Sequence, residues 1–450
     1  MQKNDPKKDF TKMPITKAII TLAVPLMLTN LIMVFYQAVD AFWVGQLGKE
    51  AVAGIALSFP IFFVINSVSM GFVSAISSII ALYKGQNNQE KINYYATQAI
   101  SLASISGIII GIIGFIFAGQ IVGLIGADPA VNLQATQYLS IIFLGTIFLF
   151  AYNVISGALR GVGEVKIFML FALGGLIINF FIDPIFMFGG FGLPAMKIAG
   201  TAWATIIIQG ISCVAILIWL QNKDHLLKFD KKDLVPHLAS VKRLFKLGAP
   251  SSVEFLSRSI GMVLMTGIIA SFGTVAIAAY GIGMRVGSFA LIPSFGLSLA
   301  INVIIAQNLG AGKNEQIKQI IKTGMIFSFL FLTIVSLPLL LFPEQLSSLF
   351  ISGEPEVLSE AILFTQIFAL SLGLLGAQIV IVSSYRGSGK TKTAMNLALS
   401  YIVIQLVSAL ILANLFGLFG VWVSYPVANL IMLIITQIYY RKNPITKSQI

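Results

Sequence analysis

Apolar residues fill this chain in runs of membrane length, separated by short polar breaks. The runs lie at 15–45, 51–83, 93–123, 132–159, 167–188 and 198–220. A polar stretch follows at 221–241, and six more runs lie at 243–271, 276–308, 317–342, 356–384, 392–415 and 418–440. Roughly 20 apolar residues, rising ~1.5 Å each, cross a hydrocarbon core. Each run therefore predicts one transmembrane helix, and the longer ones predict tilted or kinked helices. None alternates with period two, so a membrane β-barrel is excluded. The expected fold class is an all-α membrane protein of 12 transmembrane helices. Its expected organisation is a tail at 1–14, an N-lobe at 15–220, a linker at 221–241, a C-lobe at 242–440 and a tail at 441–450.

The second half repeats the first at an offset of 225. "LAVP" at 22–25 matches "LGAP" at 247–250, and "LGKEAVAG" at 47–54 matches "FGTVAIAA" at 272–279. "GFVSAISSIIALYKGQNNQEKI" at 71–92 matches "GLSLAINVIIAQNLGAGKNEQI" at 296–317. With one residue of slippage, "LRGVGEVK" at 159–166 matches "YRGSGKTK" at 385–392. An even number of spans returns the chain to its starting side. The halves are thus expected as parallel six-helix lobes related by a pseudo-two-fold axis along the membrane normal, with a cavity between them near the midplane. Pro25 and Pro250 share one repeat position and are the expected hinges, since each removes a helix hydrogen bond.

Composition agrees with the pattern: 57% of the 450 residues are hydrophobic and 10% charged, against about 25% charged in soluble domains. The formal charge of +12 could suggest nucleic acid, but its distribution argues otherwise. With both termini inside, 25 of the 29 Lys and Arg fall in inner segments. Lys49 and Lys197 fall outside, and Arg258 and Arg285 lie within spans. That asymmetry predicts cytoplasmic N- and C-termini in a plasma or inner membrane and needs no nucleic-acid partner. No cleavable leader is expected. The single cysteine, Cys213, sits in an apolar run and reads as a small core residue.

The residues now resemble a known family. "LAVPLMLTNLIMVFYQAVDAFWVGQLG", the paired "IIALYKGQ" and "IIAQNLGAG" loops, "GALRGVGEVK" and "INFFIDPIFMFGGFGLPAMKIAGTAWAT" are similar to the multidrug and toxic compound extrusion (MATE) family. The surroundings of the aspartates look like its DinF-like branch. The resemblance runs over 15–440. It implies antiport driven by H⁺ or Na⁺, with no other cofactor. The implied partners are small amphipathic, often cationic substrates and membrane lipids, and the chain is expected to be a monomer.

Of 17 acidic residues, three fall inside spans: Asp40, Asp183 and Glu254. A charge at a helix centre costs roughly 2.5–3.5 kcal/mol on insertion scales, so such residues are functional candidates. Asp40 and Asp183 lie at similar depth in the first and fifth spans, in the outer half. Asn179 is one turn before Asp183 on the same face. Thr201 opens the sixth span, Gln37 lies three residues before Asp40, and Tyr138 is in the outer part of the fourth. Carboxylates, an amide oxygen and a hydroxyl make a site for a hard cation or a proton. Gln37, Asp40, Tyr138, Asn179, Asp183 and Thr201 also match the family's N-lobe cation pattern. Asn153 matches a polar N-lobe position, deeper by spacing, and Ser156 stands where some relatives have Asn. Asp183 precedes Pro184, so a helix-end role is its rival reading. The repeat partners of the two aspartates are Met265 and a position near Ala409, so the carboxylates belong to one lobe.

Glu254 has two readings. Another branch of the family uses a span-7 glutamate for Na⁺, with an aspartate in span 10, but "LFTQIFALSLGLLGAQIVIVSS" has no acid. Arg258, four residues on, offers a salt bridge instead. Arg285 either faces the cavity or snorkels.

Other motifs mislead. "RGSGKTKT" at 386–393 lacks the first glycine of a phosphate loop, since position 384 is Ser384. His225 and His237 lie in the linker, far from cysteine, and predict no metal site. Short outer loops and the lack of a catalytic constellation argue against a receptor or an enzyme. The expected function is a secondary active multidrug exporter, with a lipid-linked oligosaccharide flippase of the same superfamily as the alternative.

Overall fold

A computed structural model describes residues 9–124, 128–221, 226–351, 353–445, 448 and 450. His225 lies outside the described residues, as do the first eight residues of the tail. The first half forms α1 (Ile15–Gly45), α2 (Lys49–Gly85), α3 (Gln89–Gly123), α4 (Pro129–Leu144), α5 (Thr146–Val162), α6 (Val165–Phe188) and α7 (Ile198–Gln221). The second half forms α8 (Leu238–Ala270), α9 (Thr274–Gly310), α10 (Asn314–Leu341), the short α11 (Pro343–Ser348), α12 (Pro355–Gly387) and α13 (Thr391–Lys442). Among the described residues, β pairing is limited to one bridge between Gly190 and Leu193.

Ten of these helices are long and apolar enough to cross a membrane. The α4–α5 pair supplies one more span, bent by 54°. The continuous run at 132–159 predicts one helix there, but the chain breaks at Gly145. A side chain on Gly145 would collide with Ile206 of α7, so α7 passes where a straight helix would need room. The 52 residues of α13 are two helices, parted at Gly417, whose φ of 60° and ψ of −143° only glycine adopts readily. That gives the twelve spans the hydrophobic runs predict. Ile109, Ile112 and Ile116 on one side of α3 are more than half exposed, which suits a lipid-facing surface.

The chain forms two compact units, residues 1–27 with 253–450 and residues 28–252. The cuts fall within α1 and α8, two residues after Pro25 and Pro250, at equivalent positions of the repeat. Each unit therefore contains the opening turns of the other half's first helix. In the 28–252 unit, α8 crosses α2 where Gly71 faces Gly248 and Ser252. Buried Ser74 and Ser251, one turn along, stand 3.2 Å apart. In the other unit the equivalent Gly296 of α9 faces Ala23 and Met27 of α1.

The 28–252 unit also holds the polar linker against α3. Buried Gln98 donates to the carbonyls of Asp233 and Val235 and accepts from the amide of His237 at 2.7 Å. Arg243 donates to the hydroxyls of Tyr83 and Tyr95 at 2.7 and 2.5 Å. The other unit is built around α9 and α12, its most buried helices. Its core is aromatic, with Tyr280, Phe364, Phe368, Trp422 and Tyr425 packed together.

Candidate functional site

Four helices of the 28–252 unit bring the sequence-predicted acids together. Asp183 and Asn179 project from α6, and Asn179 Nδ2 donates to Asp183 Oδ1 at 2.9 Å. Both are fully buried, as is Thr201 in the first turn of α7. Asp40 comes from the far part of α1, and its carboxylate lies near the Asp183 carboxylate and the Asn179 amide. Asp183 lies inside α6 with Pro184 after it, not at the helix end. Tyr138 of α4 lies in electrostatic range of both carboxylates and packs beside Val44, Ala51, Met187 and Ile198.

The oxygens of this cluster are underused. Asp40 Oδ1, Asp183 Oδ2, Asn179 Oδ1 and Thr201 Oγ1 are buried and have no hydrogen-bond partner among the described residues. Buried polar atoms are normally satisfied, and orphans call for an explanation. Four orphaned oxygens, two of them on neighbouring carboxylates, form a donor set that takes a proton or a hard cation. Among the described residues, no group of three His, Cys, Asp or Glu forms a metal site, which leaves transition metals without their usual ligands.

Two further residues join the cluster. Tyr36 faces both carboxylates and Thr205. Tyr36 is four residues before Asp40 and Thr205 four after Thr201, so helical periodicity alone could have found both. Gln37, also predicted, is exposed. Asn153 is elsewhere, donating to Ser69 Oγ of α2 at 2.9 Å. Ser156, buried on the same helix, has no partner for its hydroxyl among the described residues.

The other unit holds a different charge cluster. Glu254 of α8 is fully buried and accepts from Arg258 at 3.3 Å. Arg386 of α12 grips it from the far side, through Nε at 3.2 Å and through a second, closer nitrogen. Arg386 also donates to Ser298 Oγ at 3.3 Å. Arg386 and its repeat partner Arg160 are counted by position among the connecting segments, yet they are 2% and 6% exposed. The sequence gives little sign of this, because each sits in a glycine-rich turn motif that resembles a loop. Arg285 is exposed on α9.

The comparisons point the same way as the geometry. The family model described as MatE matches residues 25–185 and 250–411, one block in each half. The chain is 28% identical over 438 residues to the probable multidrug resistance protein YoeA of Bacillus subtilis, covering 96% of this chain and 94% of that one. It is 28% identical to the probable multidrug resistance protein NorM of Thermotoga maritima, covering 93% and 90%. Its fold overlays the outward-facing structure of a multidrug resistance MATE family transporter with a TM-score of 0.90 at 24% identity, covering 97% of each. Twelve membrane-spanning segments in two related halves, and a family match that falls on both, place this chain in the MATE family of membrane transporters.

Proposed function

We propose that the chain is a secondary active multidrug exporter of the cell membrane. It exchanges amphipathic, often cationic organic compounds for H⁺ or Na⁺, with both termini cytoplasmic. The coupling site is Asp40, Asn179, Asp183 and Thr201, with Tyr36 and Tyr138 beside it. The observation that carries this reading is the set of four buried oxygens, two of them on the neighbouring Asp40 and Asp183 carboxylates, that have no hydrogen-bond partner among the described residues. Two carboxylates in contact repel unless a proton or a cation lies between them. Entry of the ion from outside removes that repulsion and changes how α1 packs against α6. Substrate release then follows, and the empty transporter returns to face the cytoplasm with the site discharged. The ion drives this cycle only through its different affinity for the two states. That α1 carries Asp40 beyond Pro25, where the helix lacks a backbone donor, supports its role as the moving part.

The test is dye efflux from proteoliposomes under independently imposed proton and sodium gradients. One of the two gradients drives efflux in the parent protein. Asp40→Asn and Asp183→Asn are expected to abolish gradient-driven efflux at normal expression. Full efflux in both variants would overturn the assignment.

A further inference from the structure

The 253–450 part of its unit encloses a cavity of about 210 Å³ between α8, α9, α12 and α13. Five aromatic side chains, Tyr280, Phe295, Phe368, Tyr401 and Tyr425, form part of its lining. The ionisable groups of opposite sign do not share it evenly. Arg258 and Arg386 line it, and no acidic side chain does. Glu254 lies behind them, fully buried.

One carboxylate holds two guanidinium groups here, which leaves one positive charge uncompensated. The geometry says whose it is. Arg386 is 2% exposed and meets Glu254 through two nitrogens, an arrangement that satisfies both partners. Arg258 makes one longer contact at 3.3 Å, and its side chain is 38% exposed. Its guanidinium lies over the Phe295 ring, 5.9 Å from the centroid. Arg258 thus lines the cavity with a single hydrogen-bonded contact among the described residues, and an aromatic ring lies beside it.

A second observation points to a ligand. Gln378 and Asn429 are 5% and 1% exposed and line the same cavity. Gln378 Oε1 and Asn429 Oδ1 have no hydrogen-bond partner among the described residues. A buried carbonyl oxygen left without a donor loses the hydrogen bonds it made in water and gains none in return. A ligand that supplies N–H or O–H groups removes that cost.

From these we infer that this cavity is a substrate subsite for planar aromatic organic anions that also carry hydrogen-bond donors, with Arg258 binding the anionic group and Gln378 and Asn429 accepting from the donors. The inference goes beyond the exporter reading, which concerns amphipathic and mostly cationic compounds. It also separates the charges of the molecule, carboxylates at the ion site of one unit and an arginine only weakly paired at the cavity of the other. The anionic group can come from a soluble aromatic acid or from a lipid headgroup, and the test distinguishes them.

The test is equilibrium binding to the purified full chain in neutral detergent, with no ion gradient. The probe is 7-hydroxycoumarin-3-carboxylate, compared with its neutral 3-carboxamide. The carboxylate is expected to bind about ten-fold more tightly than the amide, as a charge-assisted contact requires. Arg258→Ala removes about ten-fold of the carboxylate's affinity, and Arg258→Lys restores most of it. Arg258→Ala leaves the Glu254–Arg386 pair intact, and a thermal melt checks that the fold survives. Should that variant not fold, Gln378→Leu serves. It is expected to weaken the hydroxylated probe several-fold and to leave coumarin-3-carboxylate, which lacks the hydroxyl, unchanged. Displacement of the probe by added phosphatidylglycerol supports the site and makes the lipid headgroup its ligand. No displacement supports it with a soluble acid as ligand. Equal binding of carboxylate and amide, or unchanged carboxylate binding in Arg258→Ala, overturns the inference. Because no gradient is used, failure of ion-coupled efflux would leave this result untouched, and the converse also holds.

Discussion

A methyl group added at Gly71 tests whether the close crossing of α2 and α8 governs how these helices pack in the 28–252 unit. An ideal Cβ there would lie 2.6 Å from the carbonyl oxygen of Gly248 and overlap the Ser252 hydroxyl. The serine can rotate away, but the carbonyl is backbone, so the helices must part. Overpacking of this kind costs about 1–3 kcal/mol, which shifts an equilibrium between packed and parted states by roughly 5–150-fold. The reverse substitution is milder, since a Cβ on Gly248 would meet the Gly71 carbonyl at 3.3 Å, and a few tenths of an ångström relieve it.

The assay uses the neighbouring serines, whose hydroxyls stand 3.2 Å apart. The chain has one native cysteine, so Cys213→Ala gives a clean background. Ser74→Cys with Ser251→Cys then reports the crossing by its rate of disulfide formation. Gly71→Ala is expected to slow cross-linking at least about five-fold, and Gly248→Ala to leave it within about two-fold. Adding Ser252→Ala to Gly71→Ala restores only part of the rate, because the carbonyl contact remains. Cross-linking that is as fast in Gly71→Ala as in the parent, or equally slow in both glycine variants, would show that the crossing does not set the arrangement.

Other consequences are simpler to measure. Glu254→Gln leaves buried Arg386 without its carboxylate, a loss of about 3–5 kcal/mol that appears as a large drop in melting temperature. Thr201→Val removes one orphaned oxygen and is expected to raise the concentration of coupling ion needed for half-maximal efflux, with the fold unchanged on melting. At the N-terminal turn, burial works against the Asp9 carboxylate, but bonds from Thr11 and Lys12 outweigh it and hold its pKa below 3.8. The turn is therefore stabilised above that value and loosens as pH falls through the lower folded pKa, which proteolysis of the tail in acid would report.

The spans were legible because hydrocarbon allows little else: a backbone without water must close its own hydrogen bonds, and twelve apolar runs give twelve spans. The Asp40–Asp183 pairing was legible for a related reason, since an acid in such a run is too costly to be there by drift. What escaped was set by contacts between distant segments. The break at Gly145 depends on where α7 passes, and Ile206 lies far along the chain. Arg386 is the clearest case. Its local sequence "YRGSGKTK" reads as a basic turn, and its partner Glu254 is 132 residues away. Tyr36 and Thr205 are a different kind of miss, for the helical spacing that paired Asn179 with Asp183 applies to them equally.

The two halves keep one backbone plan and have diverged in charge. Where α1 carries Asp40, the equivalent of α8 is Met265, which lines the arginine cavity. Where α8 carries Glu254, the equivalent of α1 is Thr29. The glycine crossings tell the opposite story, for Gly71 and Gly296 occupy the same repeat position and each receives the other half's first helix. The two copies thus share the packing feature and differ in the charges they carry. If the crossings serve motion and the charges serve cargo, Gly296→Ala should slow transport of every substrate to the same degree, because it alters a step common to all. Arg258→Ala should instead change the ranking of substrates by charge. Efflux rates for a cationic and an anionic dye, measured in both variants, separate the two roles. A change of ranking in Gly296→Ala, or a uniform loss in Arg258→Ala, would mean that this division of labour is wrong.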